Sequence, residues 1–228
     1  MILNIETSSK KCSVALSEEG AVLFSLESEN DMDHSSKLAP YIDKCLEELY
    51  KRDLKLDAVA VSMGPGSYTG LRIGLSLAKG LCFGLKIPLI GVSTLKVLAV
   101  KAMFFLDSFV ENPVYIPMID ARRMEVYTAA FNNALETLMN PTPLVLDETS
   151  YESFASDSVI LIGDAVEKAR EVLKIPVLKW IQCYPEASDM IALSEKAFRE
   201  KDFIDLAYST PYYLKNFQAT TPRKNIFC

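Results

Sequence analysis

Glycine is unevenly distributed along this chain of 228 residues, and that distribution constrains the fold more than any other feature. Seven of the nine glycines lie between Gly64 and Gly91. Within a segment predicted to be one helix, residues 67–85, there are four: Gly70, Gly74, Gly80 and Gly84. Glycine costs roughly 0.8–1 kcal/mol relative to alanine inside a helix, so these four cost about 3–4 kcal/mol. We therefore expect other backbone to approach this helix closely.

The same segment is apolar around most of its circumference. Its only polar strip consists of Arg72, Ser76 and Lys79, spaced four and three residues apart. One sheet cannot bury a helix that is apolar on nearly every side. The helix is expected either to lie between two layers of its own protein or to be shared with a partner chain, and the pattern leaves both open.

Composition and charge narrow the class of protein. With 50% hydrophobic and 24% charged residues, the chain can bury a core, and its length favours two small lobes. The net charge of −6 argues against a protein that binds a nucleic acid backbone by itself. The five cysteines are scattered with no C-x-x-C pair, and no apolar stretch is long enough to span a bilayer. These features predict a cytoplasmic chain that is neither exported nor membrane-bound.

The order of predicted elements indicates an α/β fold with mixed sheets. Strands and helices alternate after a three-stranded start, and the predicted first-half elements are strands at 2–5, 12–17, 21–26, 58–63 and 89–92 and helices at 38–50, 67–85 and from Ser93. Ser35 or Ser36 is the expected cap of the first helix. In the second half we predict strands at 114–119, 125–131 and 159–162, a Pro-rich connection after residue 131, and helices at 165–173 and 188–200. The expected lobes are residues 1–105 and 106–228, with the last segment packing back on the first lobe.

No complete catalytic or nucleotide-binding motif is present. Gly64-Pro65-Gly66 follows a strand and precedes a helix, but threonine replaces the third glycine of G-x-G-x-x-G and no Walker lysine follows. Ser67 does not fit G-x-S-x-G and is predicted to cap the helix. His34 is the only histidine, and one imidazole is a poor metal ligand set.

Acidic side chains follow several predicted strand ends. Glu6-Thr7-Ser8 could present a carboxylate and hydroxyls to a phosphate or Mg²⁺, or could form an ordinary hairpin turn. Asp120 and Asp164 also lie where sheets often carry functional groups. Capping of the following turn explains each of these two aspartates as well, and is the leading interpretation for Asp164.

Several segments occur together in one order. They are residues 2–9 (ILNIETSS), 12–16 (CSVAL), 34–35 (HS), 64–74 (GPGSYTGLRIG), 91–95 (GVSTL), 120–122 (DAR) and 125–127 (EVY). This ordered set resembles the bacterial TsaB family, also called YeaZ, from the first residue to the closing PYYL at 211–214. The GPGSYTGLRIG run carries most of the resemblance.

The resemblance implies a two-lobe actin-like, ribonuclease-H-like (ASKHA) fold with mixed sheets flanked by helices. It also implies a part in forming N6-threonylcarbamoyladenosine (t6A) at adenosine 37 of tRNAs that read ANN codons. TsaB-like chains resemble degenerate paralogues of the catalytic subunit TsaD. The resemblance implies that they pair with TsaD, help recruit the small ATPase TsaE, contact tRNA only through the complex, and form homodimers in isolation.

On this resemblance, the helices at 38–50 and 67–85 supply the partner interface. Its expected residues are Leu38, Tyr41, Ile42, Cys45, Gly70, Arg72, Ile73, Gly74, Leu77 and Leu81. The resemblance also implies a vestigial nucleotide site at the positions of the phosphate loops, formed by Glu6, Thr7, Ser8 and Asp120.

The departures from catalytic relatives are consistent with a scaffold. The resemblance implies that TsaD holds a metal with an H-x-x-x-H pair. This chain cannot supply such a pair, because His34 is its only histidine. ATP-binding members of the fold have a glycine after the acidic residue of each phosphate loop, and none follows Glu6 or Asp120. We expect no catalytic residue, metal or cofactor in this chain, with ATP and metal held by partner subunits. The alternatives are an ATP-dependent small-molecule kinase or ATPase of the actin-like class and a glycoprotease-like M22 peptidase homologue.

Overall fold

The structure, a computed structural model, describes residues 1–28, 33–106 and 108–215. The first of its two five-stranded sheets has the order β3-β2-β1-β4-β5 and consists of β1 (Ile2–Glu6), β2 (Ser13–Glu18), β3 (Ala21–Glu27), β4 (Ala58–Gly64) and β5 (Leu89–Ser93). β2 is antiparallel to β1 and β3, whereas β4 runs parallel to β1 and β5. The sheet is therefore mixed, as predicted.

Two helices, α1 (His34–Lys51) and α2 (Tyr68–Leu85), cover one face of this sheet and share a core cluster with its strands. The Ser67 side chain accepts a hydrogen bond from the Gly70 amide at 3.2 Å, so the predicted cap of α2 is confirmed. The predicted cap of α1 is wrong, because α1 begins at His34 and Ser35 lies inside its first turn. Across the described residues, no helix combines the length and apolar character needed to cross a membrane.

Helix α3 (Thr94–Phe104) joins the two lobes. Its Leu95 and Leu98 belong to a core cluster with the second sheet, whereas Val97 packs with residues of the first sheet. Because α3 is covered from both sides, eight of its eleven residues are buried. A helix that lies between two layers of the protein, one of the two arrangements expected for residues 67–85, is thus found at α3.

The second sheet has the order β10-β9-β6-β7-β8. Its strands are β6 (Pro113–Asp120), β7 (Glu125–Phe131), β8 (Thr137–Val145), β9 (Ser158–Gly163) and β10 (Lys179–Gln182). β6 is antiparallel to β7 and parallel to β9, so this sheet is mixed as well.

Two of these strands were not predicted. β8 occupies the segment predicted as a Pro-rich connection, which is possible because an edge strand can turn the missing amide of Pro141 or Pro143 away from its neighbour. β10 is only four residues long, too short for an alternating pattern to be distinctive. The predicted helix at 165–173 is shorter than expected, α4 (Val166–Arg170).

The end of the described chain returns to the first lobe. A 3₁₀ helix (Ala187–Met190) leads into α5 (Ile191–Glu200), which packs on the sheet face opposite α1 and α2. Residues 202–215, here called the C-terminal strap, then cross the first lobe. The Ile204 amide donates to the Leu89 carbonyl at 2.9 Å and the Tyr212 amide to the Met63 carbonyl at 2.7 Å. The last residues of the predicted second lobe, 216–228, lie outside the described ranges.

Candidate functional site

The turn after β1 is closed off from solvent. Glu6 and Thr7 are 0% exposed and Ser8 is 2% exposed. The Ser8 amide donates to Glu6 Oε1 at 2.6 Å, and the Thr7 amide donates to Ser62 Oγ at 3.2 Å. Three further oxygens, Glu6 Oε2, Thr7 Oγ1 and Ser8 Oγ, have no hydrogen-bond partner among the residues described. The three predicted residues lie together, but in this conformation they offer no accessible atom to a nucleotide.

Helix α2 covers this turn closely because glycine occupies its inner side. A Cβ atom added at Gly70 would lie 2.1 Å from the Thr7 carbonyl oxygen, and one added at Gly74 would lie 2.3 Å from Thr7 Oγ1. Gly66 is similarly placed, 2.3 Å from the Ser8 carbonyl oxygen. The close backbone approach predicted from the glycines is confirmed for this half of the helix, and the neighbour is the chain's own turn.

The other two helical glycines have no such neighbour. A Cβ added at Gly80 or Gly84 would meet nothing within 4 Å in the described ranges of the chain. With about 100° of rotation per residue, this pair lies roughly 80° around the helix from Gly70 and Gly74. Internal packing therefore explains the first pair of glycines, whereas no residue that the structure describes requires glycine at the second pair.

The carboxyl group of Glu6 is buried, and burial disfavours its ionised form. Burial raises the pKa of Glu6 above its usual 4.5, although hydrogen bonds from Ser8 and Ser62 act in the opposite direction. The folded state therefore binds this proton more readily than the unfolded state does. The stability that the neutral carboxyl supplies is present below the unfolded-state pKa and is lost as pH rises through the folded-state pKa.

Replacing Glu6 with glutamine is expected to stabilise the chain at pH 8 by on the order of 1 kcal/mol, about 3 °C in Tm. Glutamine keeps an acceptor for the Ser8 amide but cannot ionise. The measurement is thermal unfolding of wild type and variant from pH 4 to pH 8, with the exposed Glu167→Gln as the matched control. The two Tm values should converge near pH 4, and a gain that is equal at both pH values would contradict the assigned cause.

The second lobe carries its own polar cluster where β6 and β9 end. The Asp120 amide donates to Asp164 Oδ1 at 2.8 Å, so these two predicted residues are adjacent. Lys168 on α4 forms an ion pair with Asp120 Oδ1 and donates to the Arg123 and Glu125 carbonyl oxygens at 2.9 and 2.6 Å. The lysine ammonium thus has three oxygen neighbours, much as a bound cation would. Asp120 is neutralised from within the chain, by a residue that the sequence analysis did not identify.

The predicted partner interface divides into buried and accessible residues. Its buried members, which pack inside the chain, are Leu38, Ile42, Cys45, Gly70 and Gly74. Of the other five, Tyr41 donates to the Glu27 carbonyl oxygen at 3.3 Å and Arg72 donates to the Tyr213 hydroxyl at 3.1 Å. Ile73, Leu77 and Leu81 are half-buried at the edge of the first-lobe core. Only these three leave apolar atoms of the predicted set free on the outer side of α2.

Further accessible residues of α1 and α2 were missed. On α1, Tyr50 is 88% exposed and Leu46 is half-buried at the edge of the same core cluster. On α2, Gly80 and Gly84 are exposed one turn from Leu77 and Leu81. A helical projection that separated the two glycine pairs would have found the second pair, because the sequence places the pairs on different sides.

The single histidine has a structural environment. His34 is buried at the start of α1, and its Nε2 atom lies 3.0 Å from the Ser9 carbonyl oxygen. A carbonyl oxygen only accepts, so Nε2 donates in this contact. Within the described ranges, no group of three or more histidine, cysteine, aspartate or glutamate side chains could hold a metal ion.

Comparison with known proteins identifies the family. The model of the TsaD family, tRNA N6-adenosine threonylcarbamoyltransferase, matches residues 28–223. The tRNA threonylcarbamoyladenosine biosynthesis protein TsaB of Buchnera aphidicola subsp. Schizaphis graminum is 31% identical over 196 residues, which cover 84% of this chain and 91% of that protein. The chain belongs to the TsaB family. The TsaB protein of Escherichia coli strain K12 is similar over 94% of both chains at 29% identity.

Solved TsaB-family structures share the fold. YeaZ from Pseudomonas aeruginosa has a TM-score of 0.78 to this chain at 27% identity, with 93% of this chain and 99% of that chain covered. The two-lobe ASKHA fold that the sequence resemblance implied is therefore confirmed. The family resemblance stated from the ordered motifs is confirmed as well.

Proposed function

We propose that this chain is the non-catalytic subunit of a complex that forms t6A at adenosine 37 of tRNAs that read ANN codons. The observation that carries the proposal is the match to TsaB proteins along nearly the whole chain. The chain pairs with a TsaD-like catalytic subunit, which fits its match to the TsaD family model. It helps to recruit a TsaE-like ATPase, and it contacts tRNA only through the complex.

Three features of the lobes support a non-catalytic role. Glu6, Thr7 and Ser8 are covered by α2, which leaves no room for a nucleotide phosphate at this turn. Asp120 forms an ion pair with Lys168, which a metal ion would have to displace from Oδ1. These contacts count against the alternative of an ATP-dependent kinase or ATPase. The described residues likewise supply no ligand set for the M22 peptidase alternative.

The surface proposed to bind the catalytic subunit lies on the outer side of α1 and α2. We call it the α1–α2 surface and define it as Leu46, Tyr50, Ile73, Leu77, Gly80, Leu81 and Gly84. Glycines that have open space beside them let the backbone of another helix approach. Half-buried apolar side chains around those glycines supply the area that a partner would bury. In isolation, a second copy of the chain occupies the same surface.

The charge of the chain supports indirect contact with tRNA. The net charge of −6 repels phosphate groups at long range. A protein that neutralises several phosphates needs a continuous basic track. The tRNA-binding surface of the complex is therefore proposed to belong to the catalytic subunit.

Omitting this chain is expected to abolish t6A formation in a reaction rebuilt from tRNA, the catalytic subunit, the small ATPase and a separate synthase that makes the threonylcarbamoyl donor. Adding back wild type should restore the product, and so should the Asp120→Ala and Glu6→Gln variants, to within about twofold. The measurement is t6A per tRNA by mass spectrometry of the digested nucleosides.

The requirement for the chain in t6A formation and its non-catalytic role are tested by different outcomes. Equal product with and without the chain would remove the role in t6A formation. If product formation requires the chain and neither variant restores it, although both are folded, then Asp120 and Glu6 act in the reaction.

A further inference from the structure

A small cleft separates α2 from the C-terminal strap. It encloses about 250 Å³, enough for roughly eight water molecules at ~30 Å³ each. Six of the eight residues that line it have polar side chains, and the lining comes from both sides of the cleft: Arg72, Leu75, Ser76, Lys79, Ser209, Thr210, Pro211 and Tyr213. The polar strip of α2 that the sequence analysis singled out therefore faces the strap.

Two cations line this cleft without a carboxylate partner. Lys79 Nζ donates to the Ala207 and Ser209 carbonyl oxygens at 3.0 and 2.8 Å, which leaves one of its three N–H donors. Toward the residues that the structure describes, Arg72 donates through Nε, to the Tyr213 hydroxyl. Among the residues that the structure describes, no aspartate or glutamate forms an ion pair with either side chain. Both therefore keep donors for an anion.

The arginine side of the cleft is held in place. The Arg72 guanidinium lies 4.2 Å from the centre of the Tyr68 ring, and that ring lies 4.9 Å from the ring of Tyr213. Stacking of this kind orders an arginine that would otherwise move freely on the surface. The free N–H groups of Arg72 are thus preorganised.

One hydroxyl in the cleft lacks a hydrogen bond. Ser209 Oγ is shielded from solvent and has no partner in the described part of the chain. Leaving such a group unpaired is unfavourable. Ser76, Thr210 and Tyr213 add further hydroxyls to the same lining.

We infer that this cleft binds an oxyanion group of a small ligand, a phosphoryl or a carboxylate group. Arginine and lysine supply charge-assisted donors, and hydroxyls complete the shell, which is the donor set that both groups use. The cleft lies on a different side of α2 from the α1–α2 surface, so this binding does not depend on pairing with a catalytic subunit. It is also separate from Glu6 and Asp120.

The test is a titration of the isotope-labelled full chain with inorganic phosphate and, separately, with succinate, at constant ionic strength. We expect saturable amide shifts in residues 72–79 and 207–213, with a Kd of roughly 1 mM for the preferred anion. Saturation by phosphate alone would assign a phosphoryl group, and saturation by succinate alone would assign a carboxylate. No saturable shift up to about 20 mM of either anion would overturn the inference.

Two variants and one control localise the binding. Arg72→Gln removes a cation, and Ser76→Asp places a carboxylate between the two cations without touching the bonds that hold the strap. Each variant should weaken anion binding at least tenfold. The control is Lys44→Gln, which removes one positive charge at an exposed position of α1 and should leave the Kd unchanged. Unaltered affinity in both cleft variants, or an equal loss in the control, would overturn the inference.

Discussion

Replacing Gly70 with alanine is expected to lower the free energy of unfolding by about 3 kcal/mol or more, while the same change at Gly80 raises it by roughly 0.5–1 kcal/mol. Both glycines lie in α2, Gly70 in its first turn and Gly80 in its interior, so the gain in helix propensity from alanine is no larger at Gly70 than at Gly80. The difference in sign comes from their surroundings. At Gly70 the new methyl group would lie 2.1 Å from the Thr7 carbonyl oxygen, and at Gly80 it would meet open space.

The clash at Gly70 cannot be relieved cheaply, because the oxygen belongs to backbone that continues β1. Gly74 provides an intermediate case. Its nearest atom is Thr7 Oγ1, at 2.3 Å, which can rotate away and makes no hydrogen bond among the described residues. We therefore expect Gly74→Ala to destabilise the chain less than Gly70→Ala does.

Chemical denaturation of the four single alanine variants measures these differences directly. Gly84→Ala is the matched partner of Gly80→Ala, since both positions are open. Destabilisation of equal size at all four positions would contradict the division of the helix into a packed half and an open half.

Replacing Gly80 with arginine is expected to weaken binding of the TsaD-like subunit at least 100-fold without destabilising this chain. The position is exposed and has space for a long side chain in the isolated chain. In a complex that uses the α1–α2 surface, the guanidinium would lie where the partner backbone approaches, and its charge would be buried without a partner. Binding is measured by titration calorimetry, and folding by thermal unfolding of the same variant.

The control for this change is Glu200→Arg, at the exposed end of α5 on the opposite face of the first sheet. It introduces the same side chain away from the proposed surface, and its affinity for the partner should equal that of wild type. Wild-type affinity in Gly80→Arg would place the partner elsewhere on the chain. Such a result would leave the family assignment intact, because that rests on similarity along the whole chain.

Much of the fold could be predicted because local patterns decided it. The apolar spacing of α1, the serine cap of α2 and the alternation of strands and helices in the first lobe all act over short distances. β8 and β10 could not be predicted in this way. The first depends on its place at the sheet edge, where proline is tolerated, and the second on pairing with β9.

The candidate site was only partly predictable, for a related reason. The sequence identified Glu6, Asp120 and the glycines of α2, but it could not indicate which way each side chain turns. Gly70 and Gly74 were assigned to a partner surface, and they pack on Thr7 instead. The lysine that neutralises Asp120 comes from 48 residues further along the chain, and no local pattern connects the two.

The order of synthesis has a consequence for how the first lobe forms. All five strands of its sheet have been made by residue 93, but α5 begins only at Ile191 and the C-terminal strap follows it. Until then, Ile90 and Val92 have no helix α5 to cover them, and the carbonyl groups of Met63 and Leu89 lack their amide partners. A ribosome-bound chain therefore carries an unfinished amino-terminal lobe until α5 and the strap have been made. The first lobe can therefore complete its packing only after all strands of the second lobe have been made.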